Sequence, residues 1–128
     1  MKVLRVDHKD GQARPYTLSA VWNETVYVCG QVPVDRKGDV PSSIGEQVSL
    51  CLDNLERALV ESGSALDCVL RLTVYLADLD EFDEYNKAYV SKFDGMTLPP
   101  RTTVQVARFR GEKRIEIEAI AARRGVED

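Results

Sequence analysis

The strongest constraint on this chain is a pair of alternating segments late in the sequence. The first is Arg101-Thr102-Thr103-Val104-Gln105-Val106-Ala107, and the second is Arg114-Ile115-Glu116-Ile117-Glu118-Ala119-Ile120-Ala121. A period of two marks strands with two unlike faces. On the first, Val104 and Val106 oppose Arg101, Thr103 and Gln105; on the second, Ile115, Ile117 and Ala119 oppose Glu116 and Glu118. Arg110-Gly111-Glu112-Lys113 between them predicts a hairpin turn. One face of such a hairpin is core, and the other carries a guanidinium and two carboxylates.

The remaining pattern supplies helices to cover that core face. Ser43-Ile44-Gly45-Glu46 fits a capping box, and Ile44, Val48, Leu52, Leu55 and Leu59 follow as one apolar stripe, stopped by Gly63. Asp80 is the expected cap of a second helix that buries Phe82, Tyr85, Tyr89 and Phe93 and ends at Gly95. Strands are expected at 3–6, 17–22, 25–32 and 69–77, with Asn23-Glu24 as a turn and 34–41 as a loop. Pro99-Pro100 forces extended chain into the next strand. The order β-β-β-α-β-α-β-β predicts an α+β domain over residues 1–128: a mixed sheet of about six strands with two helices on one face.

The other sheet face is then uncovered and mixed, since Ala107 and Ile120 share it with the charged groups. That composition suits a subunit interface with polar pockets. In the hairpin register Ala107 lies opposite Glu116 and Gln105 opposite Glu118, and Arg101 falls about 20 Å from Glu116. The two therefore reach one small ligand only if the chain bends back at Arg101 or two copies pool residues, and pooling is expected.

Several function classes are disfavoured. The net charge of −4 argues against a broad nucleic-acid footprint, and hence against a ribonuclease. No stretch approaches the length of a membrane span, and no secretory signal is expected. His8 is the single histidine, which leaves little for zinc sites or Ser-His-Asp triads. Cys29, Cys51 and Cys68 lack metal-type spacing and read as reduced thiols of a cytoplasmic protein, the first and last in strands.

The residues then carry a family resemblance. Pro15-Tyr16, Cys29-Gly30-Gln31-Val32-Pro33-Val34, Gln47 with Leu52-Asp53-Asn54, Val74-Tyr75-Leu76-Ala77-Asp78-Leu79, Phe82 with Tyr85-Asn86, and Pro100-Arg101-Thr102-Thr103-Val104 with Ile115-Glu116-Ile117-Glu118-Ala119-Ile120-Ala121 run in order along nearly the whole chain. Together they resemble the RidA (YjgF/YER057c/UK114) family. The resemblance implies a chorismate-mutase-like fold that trimerises through the open sheet face, with ligand clefts between subunits. It implies cofactor-independent hydrolysis of 2-imino acids, or their enamine tautomers, to 2-oxo acids and ammonia, which protects pyridoxal-phosphate enzymes. Arg101 would bind the substrate carboxylate and Glu116 would place water or move a proton. Tyr16, Cys29, Gly30, Asn86 and the Thr103 backbone would line the cleft, with no metal. The alternative is a non-catalytic trimer that binds small carboxylates. The chain departs from the family pattern at Arg14, where glycine is usual, at Cys29, where serine or threonine is frequent, at Thr103, where cysteine is frequent, and at Arg110-Gly111.

Overall fold

The computed structural model describes residues 2–125. Six strands and two helices follow the expected order: β1 (Leu4–Val6), β2 (Ser19–Trp22), β3 (Thr25–Gln31), α1 (Ile44–Glu61), β4 (Val69–Leu76), α2 (Phe82–Lys92), β5 (Arg101–Gln105) and β6 (Ile115–Ala122). They form one mixed sheet in the order β1-β2-β3-β6-β4-β5.

Local chemistry accounts for the element ends. β2 and β3 are joined by Asn23-Glu24, with Trp22 opposite Thr25 and Asn23 in the left-handed region (φ 55°), as a tight two-residue hairpin demands. At the start of α1 the Ser43 hydroxyl accepts from the Glu46 N–H at 3.1 Å and donates to the Glu46 carboxylate at 3.0 Å. The carboxylate thus grips the capping hydroxyl rather than a backbone N–H. Gly63, at φ 81°, turns the chain out of the helix. The cap of the second helical segment is Asp78 and not Asp80: Asp78 Oδ1 accepts from Asp80 N at 2.8 Å in a short 3₁₀ turn that leads into α2. A second 3₁₀ turn, Leu66–Cys68, holds Cys68 just ahead of β4 rather than within it.

The helices pack on one sheet face. Leu52, Leu55 and Leu59 of α1 are fully buried against Val26, Leu72, Val74, Ile115 and Ile117. Each such side chain stabilises the fold by about 1.5–3 kcal/mol. The opposite face presents Trp22, Tyr27, Val104 and Ile120, each 36–47% exposed, beside Glu116, Glu118 and Tyr75.

The expected β5–β6 hairpin does not form. β6 enters the middle of the sheet, antiparallel to both β3 and β4, while β5 pairs parallel with β4 alone and is an edge strand. Glu116 stands opposite Tyr75, and Glu118 opposite Thr73, instead of Ala107 and Gln105. The reason is burial: Ile115, Ile117, Ala119 and Ala121 are all at most 3% exposed, which only a central strand provides. The faces of β5 are also reversed. Arg101 and Thr103 are level with buried Leu72 and Val74 and point to the helix side, whereas Val104, level with Tyr75, lies on the open face.

Candidate functional site

Reversal of β5 places Arg101 beneath α2. Phe82, Tyr85 and Tyr89 recur at three- and four-residue spacing, so their rings line one side of that helix. The Arg101 guanidinium carbon sits 4.5 Å from the Tyr89 ring centre, 5.1 Å from Tyr85 and 5.7 Å from Phe82. A planar cation held among ring faces is attracted by their quadrupoles and loses freedom. Arg101 Nη1 donates to Asn86 Oδ1 at 2.9 Å. Nε and Nη2 have no acceptor among the described residues, which leaves a fork for an incoming carboxylate.

The backbone adds a donor. The Leu72 N–H donates to the Pro100 carbonyl at 2.9 Å, and the Val106 N–H donates to the Leu76 carbonyl at 2.8 Å. Alternate residues of a parallel strand serve one neighbour, so Thr102, Val104 and Val106 face β4. The N–H groups of Arg101, Thr103 and Gln105 therefore point out of the unpaired edge. Arg101, Asn86 and Thr103 thus form one corner whose outward donors are chemically suited to an anion.

Glu116 lies elsewhere. β4 separates β6 from β5, and the three-residue offset along β4 puts the Arg101 and Glu116 backbones roughly 14 Å apart. Their side chains leave opposite sheet faces, so the shared charged face expected from alternation does not form and the two candidate residues stand apart. The Glu116 carboxylate rests on the Gly30 backbone: a Cβ on Gly30 would fall 1.9 Å from Glu116 Oε2. Burial pushes the Glu116 carboxyl above its ordinary range, neighbouring Glu118 adds to this, and Lys113 opposes it. Tyr75 donates its hydroxyl to Glu118, a hydrogen bond that raises the phenol and keeps it protonated.

Gly30 also opens onto a cleft of about 650 Å³, walled by Arg14, Tyr16 and Cys29 and backed by Asn54 and Ala58 of α1. Tyr16 is 54% exposed at its rim, with His8 edge-on to its ring at 5.6 Å. Arg14 is clamped by Asp10 through hydrogen bonds of 2.9 and 2.6 Å, and this partner holds the Asp10 carboxyl well below the usual range. Cys29 is half-buried; burial raises its thiol and Arg14 partly offsets that. Arg101, Asn86, Thr103 and Glu116 are not among the cleft walls.

The helical spacing of Phe82, Tyr85 and Tyr89 predicts core, which Tyr85 and Tyr89 are, at 0% and 2% exposure; the spacing does not reveal that the same rings hold Arg101. The available signal was Asn86 embedded in the aromatic stripe. Asp10, four residues before Arg14, was also legible as its partner. Among the described residues no cluster of His, Cys, Asp and Glu is arranged to hold a metal ion, and no helix is long and apolar enough to cross a membrane.

Comparison with known proteins adds independent findings. The family model described as Endoribonuclease L-PSP matches residues 9–123. A 2-iminobutanoate/2-iminopropanoate deaminase of Escherichia coli is 32% identical over 126 residues, covering 96% of this chain and 98% of that protein. A RutC family protein of Pyrococcus abyssi is 37% identical over 109 residues, covering 84% of this chain and 85% of that protein. The crystal structure of E. coli TdcF with bound serine matches with a TM-score of 0.83 at 34% identity, over 93% of this chain and 94% of that one.

Proposed function

This chain belongs to the RidA (YjgF/YER057c/UK114) family, matched by its Endoribonuclease L-PSP model, and from that premise we propose that it hydrolyses reactive 2-imino acids and their enamine tautomers to 2-oxo acids and ammonia. The observation that carries the reading is the Arg101 corner, a caged guanidinium with a free fork beside an unpaired backbone donor. The activity named for the E. coli deaminase and the serine held by E. coli TdcF both concern small amino-acid-like carboxylates.

The chemistry proceeds without an added cofactor. The substrate carboxylate docks on Arg101 and the Thr103 N–H. Its protonated imine is already electrophilic, so the site has to orient it and deliver water. Glu116, with its raised proton affinity, accepts a proton as water adds to the imine carbon and returns it to the amine of the tetrahedral adduct. As the adduct collapses the C–N bond breaks, Glu116 takes the hydroxyl proton and passes it to the departing ammonia, and the 2-oxo acid and ammonium leave with one water consumed. Because Arg101 and Glu116 occupy opposite faces of one sheet, the complete site combines the Arg101 corner of one copy with Glu116, Gly30 and Tyr16 of another. The mixed open face is the surface through which three copies would meet, in a cytoplasmic homotrimer that shields pyridoxal-phosphate enzymes.

The test couples an amino-acid oxidase, which generates the imine, to semicarbazide, which traps what remains. The protein is expected to suppress trapping, and Arg101→Ala to abolish that suppression. Unchanged trapping across several amino acids refutes the deaminase reading. One observation favours a second reading, a carboxylate-binding trimer: the Arg101 corner is complete without Glu116. Saturable 2-oxobutanoate binding with no turnover would identify it.

A further inference from the structure

The anion corner has two donors on one strand, the Arg101 side chain and the Thr103 backbone N–H of β5, and both must hold their relative position for a carboxylate to meet them together. The Arg101 fork is set by its side chain; the Thr103 N–H is set by the β5 backbone, and β5 is an edge strand with only one neighbour. Edge strands are the least restrained part of a sheet. One buried side chain touches both residues. Tyr85 of α2 is 0% exposed, its ring lies 5.1 Å from the Arg101 guanidinium carbon, and its hydroxyl is 2.7 Å from Thr103 Oγ1. Burial raises the phenol above its ordinary range, so the hydroxyl stays protonated and the hydrogen bond is retained at neutral pH.

We propose that Tyr85 is a positioning residue of the carboxylate anchor, its ring supporting Arg101 while its hydroxyl ties the edge strand at Thr103, so that guanidinium and backbone N–H present one preformed clamp to a small 2-imino or 2-oxo carboxylate. This rests on the anchor role given to Arg101 above, and adds to it the device that holds the anchor's two halves in register. The hydroxyl is the informative part. A phenylalanine would fill the same core volume and leave the stacking on Arg101 intact, but would leave Thr103 untied. The threonine hydroxyl is the matching half of the tie, so the two side chains act as a unit.

The experiment measures binding of 2-oxobutanoate by titration calorimetry alongside the imine-trapping assay. Tyr85→Phe is expected to weaken oxo-acid binding about five- to tenfold, the effect of one lost hydrogen bond, and to raise KM for the imine by the same factor with kcat within about twofold. Thr103→Val is expected to match it, Thr103→Ser to retain wild-type affinity, and the Tyr85→Phe/Thr103→Val pair to lose no more than either single variant. Thermal midpoints locate the effect at the anchor if Tyr85→Phe and Thr103→Ser melt alike while binding differs. Wild-type affinity in both Tyr85→Phe and Thr103→Val overturns the positioning role and leaves the deaminase reading standing. Binding without turnover in the wild type overturns the deaminase reading, and the affinity comparison still decides the role of Tyr85. A fall in kcat with KM unchanged also overturns it.

Discussion

Replacement of Gly30 by alanine is expected to separate the proposed catalysis from folding. The new methyl would sit 1.9 Å from Glu116 Oε2 and 2.8 Å from its carboxyl carbon. To regain ordinary contact the carboxylate has to withdraw by about 1.5 Å. The atoms in the way are the far end of a flexible side chain, so the backbone need not shift. An off-rotamer Glu116 costs about 0.5–1.5 kcal/mol. Gly30 is not among the positive-φ glycines, so alanine is compatible with its backbone and offsets about 0.4–1 kcal/mol through a less flexible unfolded chain. The net stability change is therefore near zero. Catalysis responds differently, because a displacement of about 1 Å at a reacting group costs about 100-fold, or about 2.7 kcal/mol of transition-state stabilisation. Arg101 stands on the other sheet face and keeps its cage. In the trapping assay Gly30→Ala is expected to lose about two orders of magnitude in kcat with KM and thermal midpoint close to wild type. Full activity in a folded variant would refute the placement of Glu116 in the chemical step; a rise in KM alone would show that Gly30 serves binding instead.

Two further expectations follow from buried polar groups. The Glu116 carboxyl has its folded pKa raised, so it is neutral in both states at low pH and costs stability only when ionised; that cost begins as pH climbs past the unfolded value and is complete above the folded one. Glu116→Gln should melt with the wild type near pH 3 and above it at pH 8, at the expense of activity; a pH-independent difference in midpoint would contradict the burial argument. Gln47 is 0% exposed and clasps three backbone groups, donating to the Pro41 carbonyl at 2.8 Å and the Glu112 carbonyl at 3.1 Å and accepting from Arg114 N at 2.8 Å. Gln47→Ala should lower unfolding free energy by about 2–4 kcal/mol through the cavity and the orphaned groups, read from the urea midpoint, and a loss below about 1 kcal/mol would mean that water replaces the clasp.

The limits of the sequence reading have a physical pattern. α1 was legible because its cap and its stripe are local: Ser43 finds Glu46 three residues away, and Leu52, Leu55 and Leu59 recur with the helical period. The hairpin between β5 and β6 was misread because alternation reports that a strand has two faces but not which strand lies beside it. The short polar turn at Arg110–Lys113 favoured a hairpin, yet the uninterrupted burial of Ile115, Ile117, Ala119 and Ala121 required a neighbour on each side. For β5 the inversion came from weak contrast. Two threonines, an arginine and a glutamine surround one valine, and the helix above supplied aromatic faces that suit a guanidinium better than Val104. Arg101 and Glu116 are candidates by family resemblance; that they stand on opposite sheet faces depends on strand order, a property of the whole chain.

The central seat of β6 also governs how the molecule is made. β1, β2 and β3 are successive hairpin neighbours and can pair as they leave the ribosome, but β4 and β5 have no place to join that meander until β6 supplies the bridge. Residues 115–122 follow all five other strands in the chain, so at about 5–20 residues per second the two parts of the sheet wait several seconds with open edges during synthesis. A nascent chain halted before Ile115 holds α1 without the strand it packs across. Closure of this sheet thus waits for β6, and a product cut short ahead of that strand is expected to expose open edges that favour aggregation rather than to form a shortened domain.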